Sequence, residues 1–483
     1  MHKFKTLFFS HKQKFLTRSS LLAYSTNKPI KSHPVPKLEI IDNMVEIAKQ
    51  HKLPSLSDIA FIGAQHKLET TASLFEAMIK LGAKPENMFF TGKCYSTCQE
   101  AEEVIKDLGI RVFDDPIPER PGGYTEACYK VVNYMWEVFN AHLENHSNIE
   151  KIIVLDDGGR FLESLRFRTM FYYPTVIIEQ TRGGLYSKSM IDNALLHTIT
   201  VAQSATKKYI EPQLIATTML EKLTKFTEDL DINNGFCGVI GNGCIGSAVA
   251  NYLASKGHIV LIYDQTVINK TNERILNAKD IIEIFEKCSF IFGCTGQDIT
   301  AGLPLKNVIN KDQVWISGSS EDQEFKSFLL ANKNSYYFQS NIHGNVICNL
   351  QNGKKITIKQ WGFPFNFDGS NNSDPAGDFE LTRCCLLGGV IQAALTEAIT
   401  MNKNYKLYPM QMLNPYIQSF ITAAWVSREI ANKNRYPKEL LDKFQDISWI
   451  QENSSGEYVS ADKINDIFST ACKIQMNASR LTA

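Results

Sequence analysis

Two adjacent carboxylates end an apolar run in the segment VLDDGGRF, residues 154–161. Asp156 and Asp157 are followed directly by Gly158 and Gly159. An Asp-Gly step commonly marks a turn, and paired carboxylates are also metal ligands. Side chains that follow buried parallel strands lie where α/β sheets bind their ligands. We therefore interpret Asp157 as a proton-handling residue and Asp156 as a structural one.

The clearest motif is the pattern GxGxxG in GFCGVIGNGCIGSAVANYLASKGHIVLIYD, formed by Gly241, Gly243 and Gly246. These glycines allow a tight turn, close approach of the backbone to a pyrophosphate, and close packing of helix on strand. An apolar strand precedes them, a helical stretch and a second strand follow, and Asp264 ends that strand. A carboxylate there binds ribose hydroxyls and repels a 2′-phosphate, so we predict NAD rather than NADP as the cofactor.

Small residues end two later apolar runs. SFIFGCTG ends at Thr295 and Gly296, and QVWISGSS ends at Gly318 and Ser319. Small side chains at strand ends leave room for a cofactor, which supports the prediction of a dinucleotide site.

These residues need parallel strands to position them, and the chain has the corresponding pattern. Apolar runs occur at 58–63, 87–92, 110–113, 152–155 and 175–179, and helix-compatible stretches lie at 69–82, 97–108 and 124–143. Strands that alternate with helices predict βαβ units. We predict an α/β fold with two parallel-sheet domains, the second a Rossmann NAD-binding domain, followed by a helical C-terminal region.

The composition favours a small-molecule partner. The 51 basic and 51 acidic residues cancel, which leaves no overall field to hold nucleic acid or an anionic membrane. No apolar stretch approaches the roughly 20 residues that span a bilayer. The 11 cysteines form no CxxC pair, which argues against a zinc site and a disulfide framework and favours a reducing compartment. We expect neither nucleic acid, a membrane nor a metal ion as a partner.

Eight ordered segments resemble the adenosylhomocysteinases, the NAD-dependent S-adenosylhomocysteine hydrolases, over about residues 50–400. They are FIGAQHKLETTASLFEAMIKLGA, GKCYSTCQEA, VLDDGG, IEQTRGG, SATKKYIEP, the glycine-rich stretch, FGCTGQD and LQNGKKITIKQWGFPFNF. The resemblance implies that bound NAD serves to oxidise the 3′-hydroxyl of the substrate ribose to a ketone. Homocysteine is then eliminated, water adds, and the ketone is reduced again.

The resemblance also implies a set of site residues. The catalytic residues would be Asp157, Lys207, Glu211 and His66, with Glu211 in place of the family's aspartate. Substrate contacts would come from Glu69, Thr70, Ser96, Thr97 and Gln180. Contacts with NAD would come from Thr181, Gly241, Asn242, Gly243, Cys244, Ile245, Gly246, Asp264, Thr295, Gly296, Gly318 and Asn366.

Several positions depart from the family pattern. Gln180 replaces a substrate-binding glutamate, Ser319 replaces a histidine, and the final MNASRLTA lacks the family's terminal lysine and tyrosine. The changes at Gln180 and Ser319 remove groups that hydrolysis would use as acid or base. We therefore predict NAD-dependent oxidation of a ribose-like secondary alcohol of a nucleoside-type substrate. The alternatives are a functional adenosylhomocysteinase and a catalytically weak NAD-binding regulatory protein.

Five segments follow from these patterns. They are a disordered basic tail (1–35), a substrate-binding α/β domain (36–210), the Rossmann domain (211–372), a helix that returns to the substrate domain (373–401) and a helical extension (402–483). We expect the extension to form a homo-oligomer. We favour a cytoplasmic protein, with a mitochondrial one as the alternative because the first 38 residues are basic and hold no acid.

Overall fold

Two sheets organise the part of the chain that the computed structural model describes. The structure describes residues 35–165, 173–181, 197–226, 236–266, 272–334, 336–338, 341–370, 373–396, 410–432, 435–454 and 462–482. All of them belong to one of the two units into which the chain divides, Pro34–Ala483. The predicted basic tail lies, apart from its last residue, outside the described residues.

The strands match the apolar runs of the sequence. They are β1 (Ile59–Ala64), β2 (Met88–Thr91), β3 (Arg111–Phe113), β4 (Lys151–Asp156), β5 (Thr175–Glu179), β6 (His197–Thr200), β7 (Phe236–Ile240), β8 (Val260–Tyr263), β9 (Ile275–Asn277), β10 (Cys288–Gly293), β11 (Gln313–Ser317), β12 (Tyr336–Phe338), β13 (Val346–Asn349), β14 (Lys355–Ile358) and β15 (Gln411–Met412). The five strands predicted at the start of the chain are each found within one residue at either end. β6 was not predicted, because its sequence HTIT has a single aliphatic residue.

The helices lie between these strands and after them. They are α1 (Glu39–Gln50), α2 (Glu69–Lys80), α3 (Gln99–Asp107), α4 (Tyr124–Glu144), α5 (Arg160–Leu165), α6 (Ala205–Tyr209), α7 (Glu211–Phe226), α8 (Cys244–Ser255), α9 (Ile281–Lys287), α10 (Leu305–Val308), α11 (Lys326–Ala331), α12 (Ala376–Leu395), α13 (Pro415–Asn432), α14 (Lys438–Gln445), α15 (Ser448–Asn453) and α16 (Asp462–Thr482). Short 3₁₀ turns occur at Pro85–Asn87 and Lys359–Gly362.

The first sheet is entirely parallel and has the strand order β15-β6-β5-β4-β1-β2-β3. Its central strands end level with one another, since Asp156 of β4 pairs with Ala64 of β1 and with Glu179 of β5. Glu179 in turn pairs with Thr200 of β6. The residues that follow these strands therefore gather at one edge of the sheet, where open parallel sheets bind ligands.

The second sheet is a Rossmann sheet with an added antiparallel pair. Its order is β12-β13-β14-β11-β10-β7-β8-β9, so its six parallel strands run 6-5-4-1-2-3 when they are counted along the chain from β7. That is the common dinucleotide-binding order. β12 and β13 pair antiparallel at the β14 edge. The predicted α/β fold with two parallel-sheet layers and a helical C-terminal region is confirmed.

The last helices pack on the first sheet. A β-carbon built on Gly389 of α12 would lie 3.1 Å from Ile178 of β5, and one on Gly388 would lie 2.6 Å from Ile417 of α13. Phe420 of α13 contacts Phe468 of α16, with ring centroids 5.8 Å apart. Ile417, Phe420 and Phe468 of the C-terminal extension are thus buried within its own chain, whereas Ile474 of α16 is 66% exposed. Its part in oligomerisation stays a prediction.

Replacing Gly63 by alanine should weaken the first sheet. A β-carbon on Gly63 would lie 2.1 Å from the carbonyl oxygen of Leu155 on the neighbouring strand, so the two strands would have to separate. We expect Gly63→Ala to lower the free energy of unfolding by about 2–3 kcal/mol. Ala60→Gly, in the same strand, is the matched control and should cost about 1 kcal/mol. Urea unfolding followed by circular dichroism measures both, and a smaller loss for Gly63→Ala would contradict this packing.

Candidate functional site

A cavity of about 510 Å³ lies between the strand ends of the two sheets. The first sheet and the helices that follow it contribute His66, Gln180, Thr181, Lys207 and Glu211 to its wall. From the second sheet and its loops come Gly243, Cys244, Ile245, Thr295, Gly296, Gly318 and Asn366. Residues predicted for catalysis and residues predicted for NAD thus face one space.

The glycine turn has the form that a dinucleotide phosphate needs. Gly241 adopts φ +100°, and a β-carbon on Gly246 would lie 1.9 Å from the carbonyl oxygen of Gly241. A β-carbon on Gly243 would meet no atom within 4 Å, so the space beside the amino end of α8 is open. Such a helix end binds anions through its free N–H groups. The residues present therefore fit the pyrophosphate of a dinucleotide.

Asp264 follows β8 and is tied to the glycine turn. Its Oδ2 accepts a hydrogen bond from the backbone N of Asn242 at 2.5 Å, and its Oδ1 accepts from the backbone N of Thr266 at 2.9 Å. Burial opposes ionisation, but these backbone donors prevail and lower the pKa of Asp264. An ionised carboxylate at this point suits ribose hydroxyls and repels a 2′-phosphate.

Glu324 orders the other end of the cofactor site. The sequence analysis did not predict this residue. Its Oε1 accepts from the backbone N of Thr295 and the backbone N of Gly296, both at 2.6 Å, and from the hydroxyl of Ser319 at 2.5 Å. Burial raises the pKa of this carboxyl to about 7. A β-carbon on Gly318 would lie 3.0 Å from the sulfur of Cys294, so glycine keeps these two strand ends close together.

Asn366 joins the cofactor side of the cavity to the start of α12. Its side-chain nitrogen donates to Asp374 Oδ2 at 2.8 Å, and its backbone carbonyl accepts from Lys222 Nζ. Burial raises the pKa of Asp374 to about 7. Thr181, by contrast, has a buried hydroxyl with no hydrogen-bond partner among the described residues. A buried polar atom of this kind is suited to meet a bound ligand.

Asp157 is buried and does not line the cavity itself. Its Oδ1 accepts from Lys93 Nζ at 2.6 Å, and its Oδ2 lies 3.2 Å from His66 Nε2. Burial raises the cost of the charge, yet Lys93 and His66 together hold the pKa of Asp157 well below its usual range. Lys93 was missed because it follows β2, far from Asp157 in sequence. Asp157 therefore acts on the cavity through His66.

His66 presents an uncharged imidazole to the cavity. Burial lowers its pKa to about 4, although the nearby Asp157 carboxylate opposes the change. Because a carboxylate only accepts, Asp157 favours a hydrogen on Nε2, which leaves Nδ1 to accept from the hydroxyl of Ser96 at 2.6 Å. One face of the ring stacks on Phe367, with centroids 4.4 Å apart. The ring is thus fixed in position and in tautomer.

Lys207 and Glu211 form an ion pair one helical turn apart in the cavity wall. Lys207 Nζ donates to Glu211 Oε2, and the hydroxyl of Thr382 donates to Glu211 Oε1 at 2.6 Å. The side chain of Lys207 is 11% exposed and that of Glu211 is 20% exposed. Both side chains line the cavity, and the catalytic roles predicted for them stay predictions.

Gln180 is the predicted substrate contact that does line the cavity. Its Oε1 accepts from Gln65 Nε2 at 2.7 Å, and Gln65 Oε1 accepts from Arg383 Nη1 at 3.0 Å. Arg383 is fully buried, and burial lowers its pKa to about 10, so it stays charged near neutral pH. Gln65 and Arg383 were not predicted, because no local pattern links the end of β1 to the middle of α12.

The other predicted substrate contacts lie behind the described cavity wall. Ser96 contacts His66, and Thr97 Oγ1 bonds the carbonyl of Lys93 at 3.3 Å. The hydroxyl of Thr70 lies 3.4 Å from Arg383 Nε, and Glu69 begins α2. Ser96 and Thr70 thus contact side chains of the site, and direct substrate contact by any of the four stays a prediction.

An ion pair joins the two sheets beside the cavity. Arg160 follows the Asp-Gly-Gly turn, and its Nη2 lies 2.6 Å from Glu321 Oε2 in the loop after β11. Glu321 adopts φ +67°, which is unusual for a residue with a side chain. The neighbouring Asp322 accepts from the backbone N of Tyr124 at 3.2 Å. This loop therefore fixes the second sheet to α4 and α5.

The described residues offer neither a metal site nor a membrane span. They contain no group of three His, Cys, Asp or Glu side chains placed to hold a metal ion. None of the helices in the described ranges has the length and apolar character that crossing a membrane requires.

Comparisons with known proteins give relatives without a described function. No family model matches the chain. Two uncharacterized proteins of Mycobacterium tuberculosis, MT0113 and Rv0104, are each 25% identical to it over 357 residues, which are 73% of this chain and 67% of the relative.

Among solved structures, D-lactate dehydrogenase with NAD⁺ from Lactobacillus jensenii has 14% identity and a TM-score of 0.33, over 71% of this chain and 100% of the other. A D-lactate dehydrogenase from Sporolactobacillus sp. has 12% identity and a TM-score of 0.33, over 73% and 99%. A D-isomer specific 2-hydroxyacid dehydrogenase from Xanthobacter autotrophicus Py2 with NADPH has a TM-score of 0.27 and 13% identity, over 39% of this chain and 64% of its own. Likeness at this level gives no information about substrate.

These findings contradict the assignment to the adenosylhomocysteinase family. The curated relatives are uncharacterized, and the solved structures named above are D-lactate and D-2-hydroxyacid dehydrogenases. The eight segments misled because most of them are strand ends, glycine turns and polar loops, which many two-sheet cofactor-binding folds share. The roles that the resemblance gave to Asp157, Lys207, Glu211 and His66 therefore stay untested predictions.

His66 should make the folded state less stable as the pH falls below 6.5. Its pKa drops from 6.5 to about 4 on folding, so the unfolded chain binds more protons in this interval. The expected loss is about 2 kcal/mol at pH 5. His66→Gln cannot titrate, so its urea midpoint should fall less between pH 7 and pH 5 than that of the unchanged protein. An equal or larger fall in the variant would contradict a buried neutral imidazole.

Proposed function

We propose that the protein is an NAD-dependent oxidoreductase that acts on a hydroxyl-bearing carbon of a small molecule. One observation carries the proposal: the open glycine turn of a Rossmann sheet and the Lys207–Glu211 pair face the same cavity. NAD, when bound, would accept or give the hydride. The turn at Gly243 and the amino end of α8 would hold its pyrophosphate, and Asp264 would hold its ribose.

The protein's own side chains would supply the proton. In carbonyl reduction, Lys207 would donate a proton to the carbonyl oxygen, and the reduced carbon would become that of an alcohol. In alcohol oxidation, Lys207 would give one proton to Glu211 and so towards solvent, and its amine would then take the proton that the hydroxyl loses. Glu211 holds Lys207 in place, and Thr382 holds Glu211 through its second oxygen.

The finer prediction of a nucleoside-type substrate stays a prediction within this class. His66 and Phe379 both line the cavity and would offer flat surfaces to a ring. Gln180 and Lys207 would offer polar contacts to hydroxyl or carbonyl groups.

NAD binding should depend on the open space at Gly243. A methyl group there meets nothing in the protein, so Gly243→Ala should fold normally, but the methyl group occupies the path of the pyrophosphate. We expect the dissociation constant for NAD⁺ to rise about tenfold or more, with the thermal midpoint of the ligand-free protein unchanged. Calorimetric titration measures the affinity. Absence of NAD⁺ binding by the unchanged protein, or equal affinity in the variant, would contradict the proposed site.

Turnover should depend on Lys207. A panel of hydroxy acids, polyols and nucleosides is incubated with NAD⁺, and NADH formation is followed by absorbance. With the alcohol that reacts, Lys207→Gln should lower kcat about 10²- to 10⁴-fold while NAD⁺ affinity is kept, because the proton transfer is lost. Lys225→Gln, on the exposed part of α7, is the matched control and should keep full turnover. Full activity of Lys207→Gln would refute its role, and no reaction with any alcohol would count against the proposed function.

A further inference from the structure

A chain of three buried side chains connects α12 to the cavity wall. Arg383 donates through Nη1 to Gln65 Oε1 at 3.0 Å, and Gln65 donates through Nε2 to Gln180 Oε1 at 2.7 Å. The exposed fractions of Arg383, Gln65 and Gln180 are 0%, 1% and 2%. Gln180 is the member that lines the cavity. The chain thus runs from a buried charge to the site where the substrate is proposed to bind.

The guanidinium of Arg383 fixes the direction of every hydrogen bond in this chain. A guanidinium has donors only, so the atom of Gln65 that faces it must be the amide oxygen. The other amide atom of Gln65, its nitrogen, then faces Gln180 and can only donate. Gln180 must receive that hydrogen bond with its own oxygen, which directs its NH₂ group to the remaining side. A flip of either amide would set two donors or two acceptors against each other in a buried place, at a cost of about 1–3 kcal/mol.

The Gln180 nitrogen has no hydrogen-bond partner among the described residues, although Gln180 lines the cavity. We propose that Arg383, acting through Gln65, is a positioning residue that makes Gln180 a hydrogen-bond donor towards the substrate. The site then selects a small molecule that carries a carbonyl or carboxylate oxygen beside its reacting hydroxyl. This inference rests on the proposed function for the location of the substrate.

The charge of Arg383 adds to this selection. Its hydrogen bonds in the described part of the chain go to the neutral groups of Gln65 and Thr70, and its Nη2 has no partner there. Asp157 and Glu211 act on it only through space. Asp157 is already paired with Lys93, and Glu211 with Lys207. An acceptor oxygen with negative charge at Gln180 would therefore be favoured over a neutral one.

The test replaces one side-chain atom at position 65 and so reverses the hydrogen bond between residues 65 and 180. In Gln65→Glu, both side-chain oxygens at position 65 accept, so Gln180 must turn its NH₂ group inward and present its oxygen to the cavity. Gln180→Glu presents an acceptor directly. Gln203 lines the cavity but takes no part in the hydrogen bonds from Arg383 to Gln180. Gln203→Glu therefore adds the same charge to the cavity wall and is the matched control. All three changes keep the side-chain size nearly constant.

Methyl lactate and propane-1,2-diol are the probes, because both carry a secondary hydroxyl next to a methyl group. Beside that hydroxyl, methyl lactate has an ester carbonyl, which only accepts hydrogen bonds. The diol has a second hydroxyl there, which can also donate. Ligand-observed NMR gives the dissociation constant of each with NAD-loaded protein. The ratio of the two constants should shift towards the diol about tenfold in Gln65→Glu and in Gln180→Glu. It should stay within about twofold in Gln203→Glu. Lactate should bind the unchanged protein more tightly than methyl lactate does.

An unchanged ratio in Gln65→Glu, an equal shift in Gln203→Glu, or no binding of either neutral probe to the unchanged protein would overturn the inference. The titrations are repeated without NAD⁺. If the protein fails to bind NAD⁺, the proposed function fails, but the probe ratios still report on the direction of the amide chain. The two failures can therefore be told apart.

Discussion

Burial of charge at the carboxyl ends of the first sheet is the constraint on which the site depends. Parallel strands that end level with one another bring Asp156, Asp157 and Glu179 within one layer that is closed to water. A buried carboxylate without a partner is strongly disfavoured, so each of these groups must be paired with a positive charge, accept hydrogen bonds or become neutral. Lys93 pairs with Asp157, whereas burial raises the pKa of Glu179 well above its usual value and favours its neutral form.

The Asp-Gly-Gly turn converts that constraint into a connection between the sheets. Asp156 accepts from the backbone N of Phe161 and Leu162 and so fixes the start of α5, which is the structural role predicted for it. Gly158 and Gly159 adopt φ values of +113° and +78°, which let the chain turn sharply beneath the carboxylates. The turn delivers Arg160 to Glu321 on the second sheet. Two neighbouring acids therefore have separate tasks, one facing the helix and the other facing His66.

Local signals in the sequence account for the parts that could be predicted. The period of the apolar runs predicted the first five strands, and the glycine spacing predicted the turn, because both depend on neighbours in the chain. A single sequence does not show which side chains meet between distant elements. For that reason it did not predict the contacts made by Lys93, Gln65, Arg383 and Glu324. The family resemblance failed for a related reason, because segments at strand ends record the demands of a shared architecture more than those of one reaction.

The neutral amide at position 180 has a physical consequence that a carboxylate would remove. A glutamate there would accept from Gln65 and place a negative charge between Arg383 and the cavity, which would offset the guanidinium within the protein. Because Gln65 and Gln180 are both amides, the direction of each hydrogen bond from Arg383 to Gln180 is fixed. Neither amide carries a negative charge that would offset the guanidinium of Arg383. Buried unpaired charge costs folding free energy, and a ligand that supplies the missing acceptor recovers part of it on binding. Selection for an oxygen acceptor and stabilisation by that ligand are thus two results of the same buried guanidinium.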